Sequence, residues 1–213
     1  MKEDPNDLVI SYLTLRKAIG ILGTALPFLL ALGALLFGTG LRRSISSYYH
    51  THMGDVFVGT LFVIGFFLMS YKGYERKDNI AGNLACVFAV GTALFPEAPE
   101  GPLSGSDVLV DRLHFIFAGL LFLTLTYFAL ILFTKTDPKH PPGPKKLLRI
   151  KIYRVTGYMM LACIALIFIY FRLPEGTQTA LESLNPVFWL EAILVVAFGV
   201  SWLIKGEAIL GDD

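Results

Sequence analysis

Two histidine–aspartate pairs stand three residues apart in this chain: His52 with Asp55, and Asp111 with His114. Residues at that spacing share one face of a helix, so each pair can present an imidazole and a carboxylate together. Such donors suit zinc, iron or manganese, and carboxylate–histidine pairs at this spacing build metal sites inside helical bundles. A catalytic zinc takes three protein ligands and keeps an open position for water. His52, Asp55 and His114 are the leading ligand candidates. Zinc or another divalent transition metal held there would lower the pKa of its water for attack on an amide or ester. Asp111 or Glu191 would act as general base.

The same letters admit two other readings. A polar-ligand or proton site without metal needs the same convergence. Simple decoration of helix ends needs none, because aspartate is favoured in a first helical turn and aromatic rings collect at membrane interfaces. Arg42 and Arg43 lie just before the first pair. Arginine forks hold phosphate or carboxylate, and with helix N-termini they can hold a lipid phosphate or another anion. Snorkelling to headgroups would place them equally well.

The elements that must position these residues follow from composition. Of 213 residues, 54% are hydrophobic and 16% charged, against about a quarter charged in a soluble domain. A bilayer-crossing helix needs about 20 mostly apolar residues. Six runs qualify, at about 17–38, 53–72, 79–96, 110–134, 152–172 and 186–205. The expected fold is therefore all-α: one transmembrane domain, 1–213, built as a polytopic bundle of six helices. Barrel strands would alternate apolar and polar residues, and these runs do not. A soluble protein would need amphipathic helices to cover six buried ones, and none remains.

Net charge is +1, which selects no partner, but its distribution is informative. With a cytoplasmic N-terminus, 14 Lys and Arg fall on inner segments. Four (Arg42, Arg43, Arg112 and Arg172) fall on outer ones. This positive-inside bias predicts that both termini are cytoplasmic, as in a bacterial inner-membrane protein. Spans two, four and six then start on the outer face, where His52, Asp55, Asp111 and His114 would converge. Glu191 would lie about one turn inside span six.

Packing signals are separate from chemistry. Ala81, Ala85, Ala89 and Ala93 repeat every four residues, which lets a partner helix approach closely and predicts a central third span. Ala34 and Gly38 suggest a similar contact. Pro138, Pro141, Pro142 and Pro144 forbid a continuous helix between Lys135 and Lys151. The stretch Lys145–Arg154 alternates basic and aliphatic residues, as expected beside anionic headgroups. The acidic outer stretch Glu97–Asp107 reads as a solvated connection. Cys86 and Cys163 form no CxxC pair, and no phosphate loop or nucleic-acid module is present.

The stretch Ser46-Ser47-Tyr48-Tyr49-His50 contains Ser-x-x-x-His, with Asp55 soon after. This resembles a fragment of the pattern in the alkaline ceramidase and adiponectin-receptor superfamily, membrane hydrolases with zinc held by three histidines. The resemblance covers about ten residues. It implies that His50 is a metal ligand, with Ser46 beside it, and that the substrate is a lipid amide. The family's later His-x-x-x-His pair is absent here, and the family has seven spans. The whole pattern is also similar to small bacterial six-span membrane proteins of unknown function. Two functions are thus in competition. One is a metal-dependent hydrolase of lipid amide or ester bonds at the outer leaflet. The other is a non-catalytic protein that binds membrane lipid, an anionic headgroup or a small molecule, as a transporter or assembly subunit would.

Overall fold

The computed structural model describes residues 5–73, 75–99, 101–137, 139 and 141–210, with side chains from Tyr12 onward. Its helices are α1 (Pro5–Leu36), α2 (Gly54–Ser70), α3 (Arg76–Leu94), α4 (Gly105–Tyr127), α5 (Pro144–Tyr170), α6 (Glu175–Glu182) and α7 (Pro186–Lys205). A 3₁₀ turn spans Ser46–His50, and a π-type turn, Phe128–Leu132, continues α4. Among the described residues there is no strand. Four helical stretches are long and apolar enough to cross a membrane: Tyr12–Leu36, Gly105–Leu132, Pro144–Tyr170 and Pro186–Lys205. The apolar α2 is shorter, at 17 residues. α3 carries Arg76, Lys77, Asp78, Asn79 and Asn83.

Helix boundaries depart from the apolar runs where polar side chains extend a helix. α4 starts at Gly105 rather than near 110, because Ser104 caps it. The Ser104 hydroxyl accepts the Asp107 N–H at 3.3 Å, and the Asp107 carboxylate accepts the Ser104 N–H at 2.8 Å. This reciprocal box satisfies two otherwise unpaired donors. Asp111 and His114 consequently sit in the second and third turns, not at the helix start. α5 begins at Pro144, whose fixed φ suits a first helical position. The basic stretch Lys145–Arg154 is therefore the helical start of α5. α6 breaks the connection between α5 and α7 and has no buried residue.

The packing order closes a ring. α1 packs along α7 and α2, α2 along α3, α3 along α4, α4 along α5, and α5 along α7. The alanine stripe of α3 is buried throughout, at 0–4% exposure, and a Cβ built on Gly65 of α2 would lie 3.2 Å from that of Ala89. α3 is nevertheless not the most enclosed helix. Twelve residues of α7 are buried against nine of α3, and Ile80, Leu84, Val87 and Leu94 of α3 face outward. α7 gains its central place through glycines. A Cβ on Gly199 would approach the Thr24 backbone nitrogen to 2.5 Å, and one on Gly20 the Leu203 nitrogen to 2.7 Å. Gly38 is no such contact: it has φ 65° and open space around its Cβ position. It ends α1, with the Thr39 N–H returning to the Ala34 carbonyl at 3.0 Å.

Each end of the ring is closed differently. At one end an aromatic cluster centres on the fully buried Trp202, which contacts Tyr71, Phe128, Phe133 and Phe198 at centroid distances of 5.1–6.2 Å. The π-type turn helps deliver this cluster, because the Phe133 N–H reaches back five residues to the Phe128 carbonyl. At the other end the 3₁₀ turn plugs the bundle, with Ser46, Ser47 and Tyr48 buried. The candidate site lies at this plugged end.

Candidate functional site

The segment Phe95–Ala98, just past α3, is the focus of the polar residues. His114 is 2% exposed and its Nδ1 lies 2.8 Å from the Phe95 carbonyl. A carbonyl only accepts, so Nδ1 carries the proton. His50 donates likewise from Nε2 to the Glu97 carbonyl at 2.7 Å. The Asp111 carboxylate accepts the Ala98 N–H at 2.7 Å. Arg43 donates to the Ala98 carbonyl at 3.1 Å and pairs with Glu97 at 2.9 Å. The Ser44 hydroxyl donates to the other Glu97 oxygen. Buried backbone groups without partners are costly, and these side chains satisfy four of them in one irregular segment.

Glu191 does parallel work on the plug. It is 8% exposed and accepts the Ile45 N–H at 2.7 Å. Its carboxylate thus caps the 3₁₀ turn from a neighbouring helix. Ser44 and Ser47 complete the turn: the Ser44 hydroxyl accepts the Ser47 N–H at 2.9 Å, and the Ser47 hydroxyl donates to the Ser44 carbonyl at 2.9 Å. Burial raises the Tyr48 phenol above its ordinary pKa. The Arg42 N–H that its oxygen accepts and the Arg42 charge oppose that shift.

The two histidine–aspartate pairs do not act alike. Asp111 and His114 share the inner face of α4 and grip one segment. His52 precedes the first residue of α2, so helical spacing does not apply between it and Asp55. His52 is exposed and stacks on Phe37 at 5.1 Å and 18°. Asp55 is exposed in the first turn of α2. Among the described residues no three His, Cys, Asp or Glu side chains are grouped so as to hold a metal ion. The donor set His50, His52, Asp55 and His114 therefore does not fit a zinc site in this arrangement. Arg43 is committed to Glu97, so the Arg42–Arg43 pair is not an open anion cradle.

Glu97, read from sequence as part of a solvated connection, is 6% exposed and central. The signal for it was Arg43. An arginine on the segment that charge bias disfavours requires a partner, and a glutamate directly after an apolar run supplies one.

Beside this network lies a vestibule of about 610 Å³. Its polar wall includes Arg43, Glu97, Asp111, Glu175, Gln178 and Glu182. Phe115, Tyr170 and Phe171 supply an aromatic side. An apolar groove of about 380 Å³ runs between α4 and α5, lined by Phe115, Ala118, Gly119, Phe122, Ile164, Ile167, Phe168 and Phe171, with Arg172 and Glu191 also reaching it. Phe115 and Phe171 meet edge-on at 5.4 Å and line both spaces.

Compared with known proteins, the chain matches no family model, no curated protein and no solved structure. Among the described residues the fold is all-helical, with four helices long and apolar enough to cross a membrane, the make-up of an integral membrane protein.

Proposed function

We propose that this is a six-span protein of a bacterial cytoplasmic membrane, with both termini cytoplasmic, that binds an amphiphile at its outer end without cleaving it. The observation that supports binding is the shared wall of Phe115 and Phe171 between a polar vestibule and an apolar groove. A molecule with a polar head and an alkyl tail fits that pairing. Ligand sites combine apolar walls with a few placed polar groups, and here the two are segregated along one path. The polar wall has one cation, Arg43, and four carboxylates, Glu97, Asp111, Glu175 and Glu182. That balance favours an amine-bearing head over an anionic one. α2 and α3 complete six spans at about 26–28 Å each, close to the ~30 Å core.

A hydrolase would need an activated water. Asp111 and Glu191, the candidate bases, hold backbone N–H groups instead, and the candidate metal ligands are dispersed, so binding is the reading the geometry favours over lipid amide or ester hydrolysis.

The test uses the purified chain in mild detergent and native mass spectrometry. Lysophosphatidylethanolamine and lysophosphatidylglycerol are offered in competition, and the amine-headed lipid should be retained preferentially. Gly119 has open space around its Cβ position, so Gly119→Trp should fill the groove and abolish retention. Glu175→Gln with Glu182→Gln should erase the preference between heads. Retention untouched by both changes would sink the reading.

A further inference from the structure

A second cavity, about 520 Å³, opens at the opposite end of the bundle, where α1, α5 and α7 meet the segment after α4. Five cationic side chains line it (Arg16, Lys135, Lys146, Arg149 and Lys205) against three carboxylates, Glu75, Asp137 and Glu207. Lys135 is spoken for: its ammonium lies 3.2 Å from Glu75 and 3.6 Å from Asp78. The floor is aromatic and apolar. Tyr153, Phe133 and Ile150 are 3–7% exposed, Lys205 Nζ lies 5.3 Å from the Phe133 ring centroid, and Arg16 sits over Tyr12 and Tyr71. Charges above such a floor interact more strongly than they would in water.

The start of α5 adds to the imbalance. Its first turn contains no acidic residue, and Lys145, Lys146 and Arg149 occupy its first two turns. The helix dipole is positive at this end and disfavours cations there. A bound anion is favoured there by the helix dipole and by the basic side chains alike.

We propose that this cavity binds a phosphate group, with Arg16 and Arg149 as planar forks on its oxygens and Lys146 and Lys205 supplying further positive charge. Guanidinium forks match phosphate geometry, and basic pockets between membrane helices on the cytoplasmic side suit phospholipid heads. The phosphate arrives either as the head of an anionic phospholipid or as a free ion. The site is separate from the outer vestibule and does not depend on its ligand.

Binding is read by isothermal titration of the full chain in an uncharged detergent. The probes are short-chain phosphatidylglycerol, short-chain phosphatidylcholine and inorganic phosphate. Saturable, salt-sensitive binding of phosphatidylglycerol, with phosphatidylcholine and inorganic phosphate at least tenfold weaker, assigns the site to an anionic lipid head. Binding of inorganic phosphate as tight as that of phosphatidylglycerol assigns it to the free ion. Lys146→Gln and Arg149→Gln should each weaken the Kd about fivefold, the equivalent of about 1 kcal/mol per basic residue, and Arg149→Lys should weaken it less than Arg149→Gln. Lys151→Gln, on the same helix but outside the cavity, should not change it. Unliganded melting curves establish that each variant folds. Absence of saturable binding to every probe overturns the proposal, as does an equal loss in Lys151→Gln.

Discussion

Arg43 and Glu97 pair at 2.9 Å across 54 residues of sequence, and the two partners are unequally buried: side-chain exposure is 41% for the arginine and 8% for the glutamate. The glutamate also takes the Ser44 hydroxyl, while Arg43 returns a bond to the Ala98 carbonyl and its own carbonyl accepts the Phe188 N–H at 2.9 Å. Through these two residues the α1–α2 connection, the α3–α4 connection and the first turn of α7 are tied at one point. That point forms one wall of the vestibule, so the shape of the proposed ligand site depends on this pair.

Glu97→Ala should destabilise the protein by about 1.5–3 kcal/mol, the range for hydrogen bonds to charged groups, because it strips partners from Ser44 and Arg43 together. The exposure of Arg43 keeps the cost below that of a fully buried pair. Unfolding in mixed micelles measures it, and a double-mutant cycle with Arg43→Met isolates the pair. A coupling energy near zero would show that the pair does not hold the connection.

Two glycines on helices long and apolar enough to cross a membrane should respond differently to alanine. At Gly199 a Cβ meets backbone 2.5–2.8 Å away, so Gly199→Ala should cost about 1–3 kcal/mol by overpacking α1 against α7. At Gly119 nothing lies within 4 Å, so Gly119→Ala should be neutral or should gain up to about 1 kcal/mol of helix propensity. A thermal midpoint in detergent that Gly199→Ala leaves unchanged or raises would refute the α1–α7 contact.

The helical architecture was legible because continuous apolar runs leave the backbone few alternatives in lipid. Burial of the alanine stripe was legible for the same kind of reason, since small residues at one spacing mark close packing. What sequence spacing could not show is the direction of a side chain outside a helix. His52 and Asp55 have the spacing of a face pair, yet α2 starts after His52, so the rule does not reach it. Asp111 and His114 do share a face, and their shared target is the backbone of Phe95 and Ala98 rather than a metal. Glu97 was hidden because a charged residue among prolines and glycines has the local appearance of a solvated loop. Only its long-range partner reveals it.

Lys135 should make stability depend on alkaline pH. Burial works against its charge, but the Glu75 and Asp78 carboxylates beside it outweigh that and raise its pKa above the ordinary lysine value. A group whose folded pKa is raised contributes fully below its unfolded value, near 10.4, and loses that contribution as pH climbs through the folded value. Lys135→Met should therefore be less stable than the natural chain at pH 7, with the gap closing as pH rises past the unfolded lysine value and through the raised folded one. Melting midpoints measured from pH 7 to 12 test this, and a gap that widens with pH would reverse the sign of the argument.

The topology expected from the charge distribution can be set against the two ends of the bundle. Arg43, the 3₁₀ plug and the vestibule share one end, where sequence places only Arg42, Arg43, Arg112 and Arg172. The opposite end gathers Arg16, Lys135, Lys146, Arg149 and Lys205 around the second cavity, and Tyr12 donates to the Lys72 carbonyl there at 2.9 Å. Cationic segments are retained on the cytoplasmic side, so reporter fusions near residues 75 and 143 should read cytoplasmic. Fusions near 104 and 178 should read extracytoplasmic. Six crossings require all four to alternate, and a fusion near 75 that reads extracytoplasmic would mean that the short α2 does not cross alone. A complete inversion would instead put the acidic vestibule inside the cell and the phosphate cavity outside it, where an inner-leaflet phospholipid head could not reach it.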